Sequence, residues 1–120
     1  MPERDLQRRT FHFASRIIRL CRVLSSSPGI SRQLGAQLVR SGTSVGANYE
    51  EAKAAHTRRE FACKMSLVLR EARETHYWLR LISASGLMPP EDLREVVAEA
   101  DELVAIFTTA VRKAKQPPLG

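Results

Sequence analysis

Apolar residues recur at every third or fourth position through four separate stretches of this chain. This spacing places them along one side of an α-helix, because about 3.6 residues make one turn. Only 6% of the residues are aromatic, and Ala, Leu, Arg and Glu dominate, which also favours helix over sheet. The clearest stripe lies near the end of the sequence and consists of Leu93, Val96, Val97, Ala100, Leu103, Val104, Phe107 and Val111. The sequence therefore predicts an all-α chain built from four amphipathic helices.

Turn and capping residues separate the four stretches. Ser25–Gly29 combines three serines with a Pro and a Gly, so the chain turns there, and Ser31 is the predicted N-cap of the second helix. Thr57 and Glu60 fit a capping box, and Pro89 precedes the fourth helix. Such short connections favour antiparallel neighbours. We expect a single domain over residues 1–120, folded as an antiparallel up-down-up-down four-helix bundle, with helices over about 6–24, 32–55, 58–84 and 90–115 and a tail over 116–120.

The second stretch contains a run of poor helix formers from Ser41 to Ala47. Propensity alone favours a loop for this run, whereas the apolar stripe continues through it and favours a helix. We favour the helix because the stripe continues through the run, and the loop remains the alternative. In the helical interpretation, Gly35, Gly42 and Gly46 share one flank, where the absence of side chains would let another helix approach closely.

The positive charge of the chain is concentrated in its first half. The sequence holds 19 Lys and Arg against 13 Asp and Glu, a formal net charge of +6, and residues 1–48 account for all of this excess. Residues 8–40 contain seven arginines and no lysine, and the planar guanidinium of arginine suits bidentate contact with phosphate. The candidate nucleic-acid-binding residues are Arg8, Arg9, Arg16, Arg19 and Arg22 in the first helix, with Arg32 and Arg40 as secondary contacts. Alternatively, some of these arginines pair with Glu50, Glu51 or the acids of the fourth helix, or lie at a subunit contact.

Apolar side chains also occur on a second face of the third helix. Leu67, Trp78 and Leu81 lie about a third of a turn from its inner stripe. Either a neighbouring helix covers this face or another subunit does, so these three residues form a candidate oligomer interface. Tyr77, next to Trp78, can stack on nucleic-acid bases or belong to the core or the interface.

The sequence contains no motif for metal binding, nucleotide binding or nucleophilic catalysis. Its three histidines lack the Glu-x-x-His spacing of di-iron bundles, and the Gly-rich run lacks the Lys of a phosphate loop. We expect no enzyme activity, no metal and no cofactor. Cys21 and Cys63 lie in apolar helical patterns and are predicted to be small core residues in a reducing compartment. Because the longest apolar run is Leu103–Phe107, we expect neither export nor a membrane span, and we place the protein in the cytoplasm.

Three segments together resemble a known family. They are residues 37–52 (QLVRSGTSVGANYEEA), 59–61 (REF) and 71–79 (EARETHYWL). They resemble the bacterial four helix bundle protein family, first noticed in open reading frames within intervening sequences of 23S ribosomal RNA genes. In this resemblance, the helix-two motif corresponds to Ser41, Ser44, Asn48 and Glu51, and the helix-three acid to Glu74. The resemblance does not decide whether this family motif is structural or functional.

The resemblance implies an all-α bundle that assembles as a ring-like homopentamer and has no established enzyme activity. The chain is also similar to the accessory variability protein of diversity-generating retroelements, a basic pentamer that binds nucleic acid and a reverse transcriptase. We therefore expect an oligomer that binds RNA or DNA with little sequence preference. The alternative is a pentameric adaptor for a reverse transcriptase or another protein, with no direct nucleic-acid role. A third possibility, an enzyme using Asn48, Glu51 and Glu74, requires these groups to converge in an open pocket.

Overall fold

The computed structural model describes residues 2–117, with side chains from Leu6 onward. The chain forms an antiparallel up-down-up-down four-helix bundle, which confirms the predicted fold class. Each helix packs closely against the next along the chain, and the first and the last are the least closely packed of the neighbouring pairs. No helix within the described part of the chain has the length and apolarity to cross a membrane. The helices are α1 (Pro2–Ser25), α2 (Ile30–Lys53), α3 (Arg58–Ala84) and α4 (Pro90–Lys115).

The first two helices differ at their ends from the predicted ranges. α1 begins at Pro2, because Pro is tolerated in a first helical turn. α2 begins directly after Gly29, which has a φ of 88°, and Ser31 is therefore not its N-cap as predicted. The Ser31 hydroxyl instead donates a hydrogen bond to the carbonyl oxygen of Leu24 at 2.8 Å. This buried contact joins the end of α1 to the start of α2.

The capping signal at the start of α3 operates mostly as predicted. The Thr57 hydroxyl oxygen accepts a hydrogen bond from the Glu60 N–H at 3.0 Å. The Glu60 carboxylate reaches back to the N–H of His56 at 3.3 Å, one residue earlier than in a standard capping box. At the other end of α3, Gly86 has a φ of 69°, the left-handed conformation that terminates helices.

The run of small residues from Ser41 to Ala47 is helical, so the loop interpretation is wrong. Its glycines lie against α1, where there is no room for side chains. A Cβ atom on Gly42 would lie 2.8 Å from Cγ2 of Ile17, and one on Gly46 would lie 3.2 Å from Oγ1 of Thr10. Contact with α1 thus stabilises a segment whose intrinsic helix propensity is poor.

The core extends along the inside of all four helices. Phe13, Leu38, Leu79 and Phe107 are all buried at its centre, one from each helix. Every buried side-chain nitrogen or oxygen among the described residues has a hydrogen-bond partner. The interior is therefore mainly apolar, and its buried polar side chains are hydrogen-bonded.

Two residues that lie in the apolar patterns of their helices, Ile18 and Cys63, point outward. Ile18 is 44% exposed, because the apolar arc of α1 is wider than the part that α2 and α4 cover. Cys63 is exposed, so its predicted core position is wrong. Cys21 is buried as predicted, and desolvation raises the pKa of its thiol to about 11, which keeps it protonated.

Replacing Gly42 with Leu should destabilise the bundle. The new side chain must displace Ile17, and overpacking of this kind costs about 1–3 kcal/mol, against a gain of up to about 1 kcal/mol in helix propensity. We expect a loss of about 2 kcal/mol in the free energy of unfolding, measured by urea denaturation. Ala36→Leu, at an exposed position of the same helix, is the matched control and should stay within about 0.5 kcal/mol of wild type. Wild-type stability in Gly42→Leu would contradict the close crossing.

Candidate functional site

Two of the candidate arginines on α1 connect this helix to α4. Arg9 binds Glu99 through two hydrogen bonds, from Nε at 3.0 Å and from Nη2 at 2.7 Å, and also contacts Glu102 at 3.2 Å. The hydrogen bond to Glu99 is the main reason that the pKa of Arg9 is raised above its ordinary value. Arg16 makes a weaker ion pair with Glu95 at 3.7 Å. These long side chains bridge the widest gap between neighbouring helices in the bundle.

Arg40 and Arg32 also form contacts between helices of the bundle. The Arg40 guanidinium lies between two acids of α3, donating to Glu71 at 3.3 Å and to Glu74. Arg32 donates from Nε to the carbonyl oxygen of Ser25 at 3.1 Å, near the end of α1. Arg40 thus joins α2 to α3, and Arg32 joins α2 to α1, so both arginines have a structural role.

Three arginines of α1 remain without such contacts. Arg8, Arg19 and Arg22 are exposed, and none has a hydrogen bond or an ion pair within the described part of the chain. At 100° per residue they fall within an arc of about 60° on the outward side of the helix, and they span about 21 Å along its axis. We call these three residues the α1 arginine face. Phe11, the most exposed large apolar side chain in the described part of the chain at 75%, lies beside it.

The residues of the helix-two motif have different environments. Ser41 is fully buried and its hydroxyl accepts a hydrogen bond from Thr75 of α3 at 2.9 Å. Ser44 donates to the carbonyl oxygen of Arg40 at 2.6 Å, and the Asn48 amide donates to the carbonyl oxygen of Ser44 at 2.9 Å. Glu51 is exposed and has no hydrogen bond or ion pair to any described residue. Ser41 thus contributes to the contact between α2 and α3, while Ser44 and Asn48 bond to their own helix.

Glu71 is a buried acid that the sequence analysis did not identify. Its exposure is 7%, and it meets Arg40 across the α2–α3 contact, with Arg70 of its own helix at a longer 3.9 Å. The neighbouring arginines Arg70 and Arg73 made Glu71 resemble a surface residue. Its position three residues after buried Val68 was the available signal that it faces inward.

Glu74, the helix-three acid, links Trp78 to Arg40. The Trp78 indole N–H donates to Glu74 Oε2 at 3.1 Å, and Arg40 donates to the same oxygen. The indole hydrogen bond first, and then the Arg40 guanidinium, lower the pKa of the Glu74 carboxyl below its ordinary value. Asn48, Glu51 and Glu74 therefore contact different groups and form no shared hydrogen-bonded cluster. No group of three potential metal ligands occurs among the described residues.

An exposed apolar groove lies on a different face from the predicted oligomer interface. Leu67, Trp78 and Leu81 are each partly buried, and Trp78 packs against the core. By contrast, Phe11 and Ile18 border an open groove of about 410 Å³ between α1 and α2. The other residues lining this α1–α2 groove are Thr10, Ala14, Thr43, Gly46, Ala47 and Glu50.

The fold and these contacts define a small all-α bundle in which two of the motif residues, Ser41 and Glu74, help to hold α2 and α3 together. Residues 3–109 match the family described as 23S rRNA-intervening sequence protein, and the chain belongs to this family. Among solved structures, the chain is similar to a protein of unknown function from the S23 ribosomal protein family of Bacteroides thetaiotaomicron. The two share 29% sequence identity with a TM-score of 0.84, over 93% of this chain and 99% of the other. None of the curated proteins matches the chain.

Glu74→Gln should destabilise the bundle in a pH-dependent way. Because the folded-state pKa of Glu74 is lowered, its stabilising contribution is complete above its ordinary value of 4.5 and is lost as the pH falls through the folded value. The difference in free energy of unfolding between wild type and Glu74→Gln should therefore be larger at about pH 7 than at about pH 3. Urea denaturation at both pH values measures it. Glu51→Gln, which removes an exposed acid without described partners, should show a small difference at both; a constant difference for Glu74→Gln would contradict this role.

Proposed function

We propose that this chain is a non-enzymatic, self-associating protein of the cytoplasm that binds RNA or DNA through the α1 arginine face. The observation that supports this proposal most is that some of the arginines are paired with acids and others are not. Arg9, Arg16 and Arg40 are held by acids of α3 and α4, whereas Arg8, Arg19 and Arg22 are exposed and unpaired within the described residues. An unpaired guanidinium can bind phosphate without first breaking an internal ion pair.

The dimensions of the α1 arginine face suit a phosphate backbone. Its span of about 21 Å equals the rise of roughly six base pairs, at about 3.4 Å each. Contacts of this kind neutralise phosphates and release counterions, so they give affinity with little sequence preference. In an oligomer, several copies of the face would act on one nucleic acid and increase its apparent affinity.

Reversing two charges of this face should remove most of the binding. We expect Arg19→Glu with Arg22→Glu to weaken binding to a labelled RNA and a DNA duplex by about tenfold or more at about 150 mM salt. The slope of log affinity against log salt should fall by about 0.9 per lost duplex contact. Fluorescence anisotropy across a salt series measures both quantities.

The matched control reverses two exposed arginines of α4, Arg94→Glu with Arg112→Glu, and changes the net charge by the same amount. It should lower affinity only slightly. Equal losses in the two double variants would mean that net charge alone determines binding. Wild-type affinity in Arg19→Glu with Arg22→Glu would reject the α1 arginine face as the site.

Self-association is proposed through the α1–α2 groove. Phe11 and Ile18 expose apolar surface there, next to arginines, while α4 presents a face of opposite charge. A groove on one subunit and a different face on the next make a head-to-tail contact, which closes into a ring when the rotation allows it. The proposed partner face of a second copy contains Glu91, Glu95, Asp101 and Glu102 around the small exposed residues Ala98 and Ala105. The last three of these acids also pair within their own chain, but their side chains remain 66–80% exposed. The homopentamer that the resemblance implies would be one such ring.

Placing charges in the groove should prevent assembly. We expect Phe11→Glu with Ile18→Glu to reduce the particle mass to that of one chain, 13.5 kDa, in multi-angle light scattering. The control is Val23→Glu with Ile30→Glu, which alters two exposed apolar residues that do not line the groove and should leave the assembly intact. An unchanged mass in the groove variant would reject this contact and leave Leu67, Trp78 and Leu81 as the predicted interface.

The same groove favours a second candidate function, a protein–protein adaptor without a direct nucleic-acid role. An apolar groove with a charged border is a common recognition surface for an amphipathic helix of another protein, such as a reverse transcriptase. The two functions predict different results. An adaptor would keep its oligomeric state and lose the partner protein in the groove variant, and charge reversal at Arg19 and Arg22 would leave its weak RNA binding unchanged.

A further inference from the structure

The outward side of α3 carries a second set of arginines. Arg59, Arg70, Arg73 and Arg80 are exposed, and together with Tyr77 they fall within an arc of about 80° that spans about 32 Å. We call these five residues the α3 arginine face. The balanced charge of residues 49–120 conceals it in the sequence, because the acids that offset it lie on other faces.

Two acids of α3, Glu71 and Glu74, border this face on the side toward α2. Glu71 and Glu74 are engaged by Arg40, and Glu60 caps the start of the helix. Arg70 makes a long contact with Glu71 at 3.9 Å, and its charge also helps to lower the pKa of the Glu74 carboxyl. On the α4 side, the carboxylate of Asp101 lies 3.8 Å from His76, so its partner on α3 is this histidine and not one of the arginines.

Two of the four guanidinium groups on this face have no partner among the described residues. Arg59 and Arg73 have no hydrogen bond or ion pair to any described residue. Arg80 lies over the ring of Tyr77, 5.9 Å from its centre, and Tyr77 itself is 49% exposed. The face thus combines unpaired arginines with an accessible aromatic ring. Trp78 differs from Tyr77 in this respect, because it is partly buried and its indole N–H is bonded to Glu74.

This face has two shallow hollows, one more polar and one more apolar. The first, of about 190 Å³, is lined by Ser66, Leu69, Arg70 and Arg73. The second, of about 210 Å³, is lined by Tyr77, Arg80, Leu81 and Ala84. The first presents two guanidiniums to an anion, and the second presents an aromatic ring and aliphatic carbons to a flat apolar group. From Arg73 to Tyr77 the helix rises about 6 Å, a distance that one nucleotide can bridge.

We infer that the α3 arginine face binds single-stranded RNA, with phosphates at Arg70 and Arg73 and an unstacked base on Tyr77. Stacking on an exposed aromatic side chain requires a base that is free of a duplex, and this favours a single strand. All four cations are arginines, and Tyr77 is the one large apolar side chain exposed among them, so the face lacks the apolar anchors of a membrane surface.

This site is separate from the one under Proposed function. In an up-down-up-down bundle α3 is diagonal to α1, so the two arginine faces point in different directions from one molecule. One chain could then hold two segments of RNA. The α3 arginine face can bind whether or not the α1 arginine face does.

The test uses the full-length protein and a fluorescein-labelled single-stranded RNA of about twelve uridines, with an RNA duplex of the same length for comparison. We expect Arg70→Glu with Arg73→Glu to weaken single-strand binding by about tenfold or more, and to lower the salt slope by about 0.7 for each lost contact. Tyr77→Leu should weaken single-strand binding by about fivefold or more, with little change in the salt slope or in duplex binding. Arg94→Glu with Arg112→Glu is again the charge-matched control, and urea midpoints check that each variant is folded.

The possible outcomes separate the two faces. Loss of binding in the α3 variants with wild-type binding in Arg19→Glu and Arg22→Glu supports this site and rejects the α1 arginine face. Unchanged single-strand affinity in Arg70→Glu with Arg73→Glu overturns the inference, whatever the α1 variants do. Equal effects of Tyr77→Leu on duplex and single strand overturn the stacking assignment. Selective loss of binding to phosphatidylglycerol vesicles, with RNA affinity unchanged, would make the face a membrane contact and also overturn the inference.

Discussion

The close crossing of α1 and α2 is the constraint on which the rest of the bundle depends. Gly42 and Gly46 remove the side chains that would separate the two backbones, and Ile17 fills the space directly above Gly42. This contact holds a glycine- and serine-rich segment in a helix and fixes the rotation of α1 about its axis. Once that rotation is set, Arg9 points toward the acids of α4. The same rotation turns the α1 arginine face outward.

Arginine therefore has two physical roles in this chain, and neighbouring acids determine which. Where a guanidinium meets a carboxylate across a helix contact, as Arg40 meets Glu71, it compensates the buried charge of that carboxylate. Removing the arginine would leave the carboxylate unpaired. Where a guanidinium has no hydrogen bond or ion pair to a described acid, as at Arg22 and Arg73, it remains hydrated and can exchange water for phosphate. Nine of the 13 acids lie on α3 and α4, and six of these nine contact a basic side chain of another helix. This use of acids between helices leaves the outward faces of α1 and α3 basic.

Periodicity was sufficient to predict the fold class, because the apolar stripes of four helices fit together in few ways. It also identified the glycines of α2 as a crossing point, against their propensity. Sequence could not separate Arg9 from Arg8, since the distinction depends on Glu99, which lies some ninety positions away along the chain. Nor could it identify buried Glu71 or exposed Ile18, because each lies at the border of its helix's apolar arc and only the packed neighbour decides which side is covered.

The division of arginines by their partners is most directly tested by NMR of the side-chain Nε–H groups, in protein labelled with ¹⁵N-arginine and titrated with a uridine-rich single-stranded RNA. Each arginine gives a signal that responds to its own contacts. We expect the signals of Arg19, Arg22, Arg70 and Arg73 to shift as RNA is added, while those of Arg9 and Arg40 keep their positions. Shifts of Arg9 and Arg40 equal to the others, or an absence of shifts at the exposed arginines, would contradict the account.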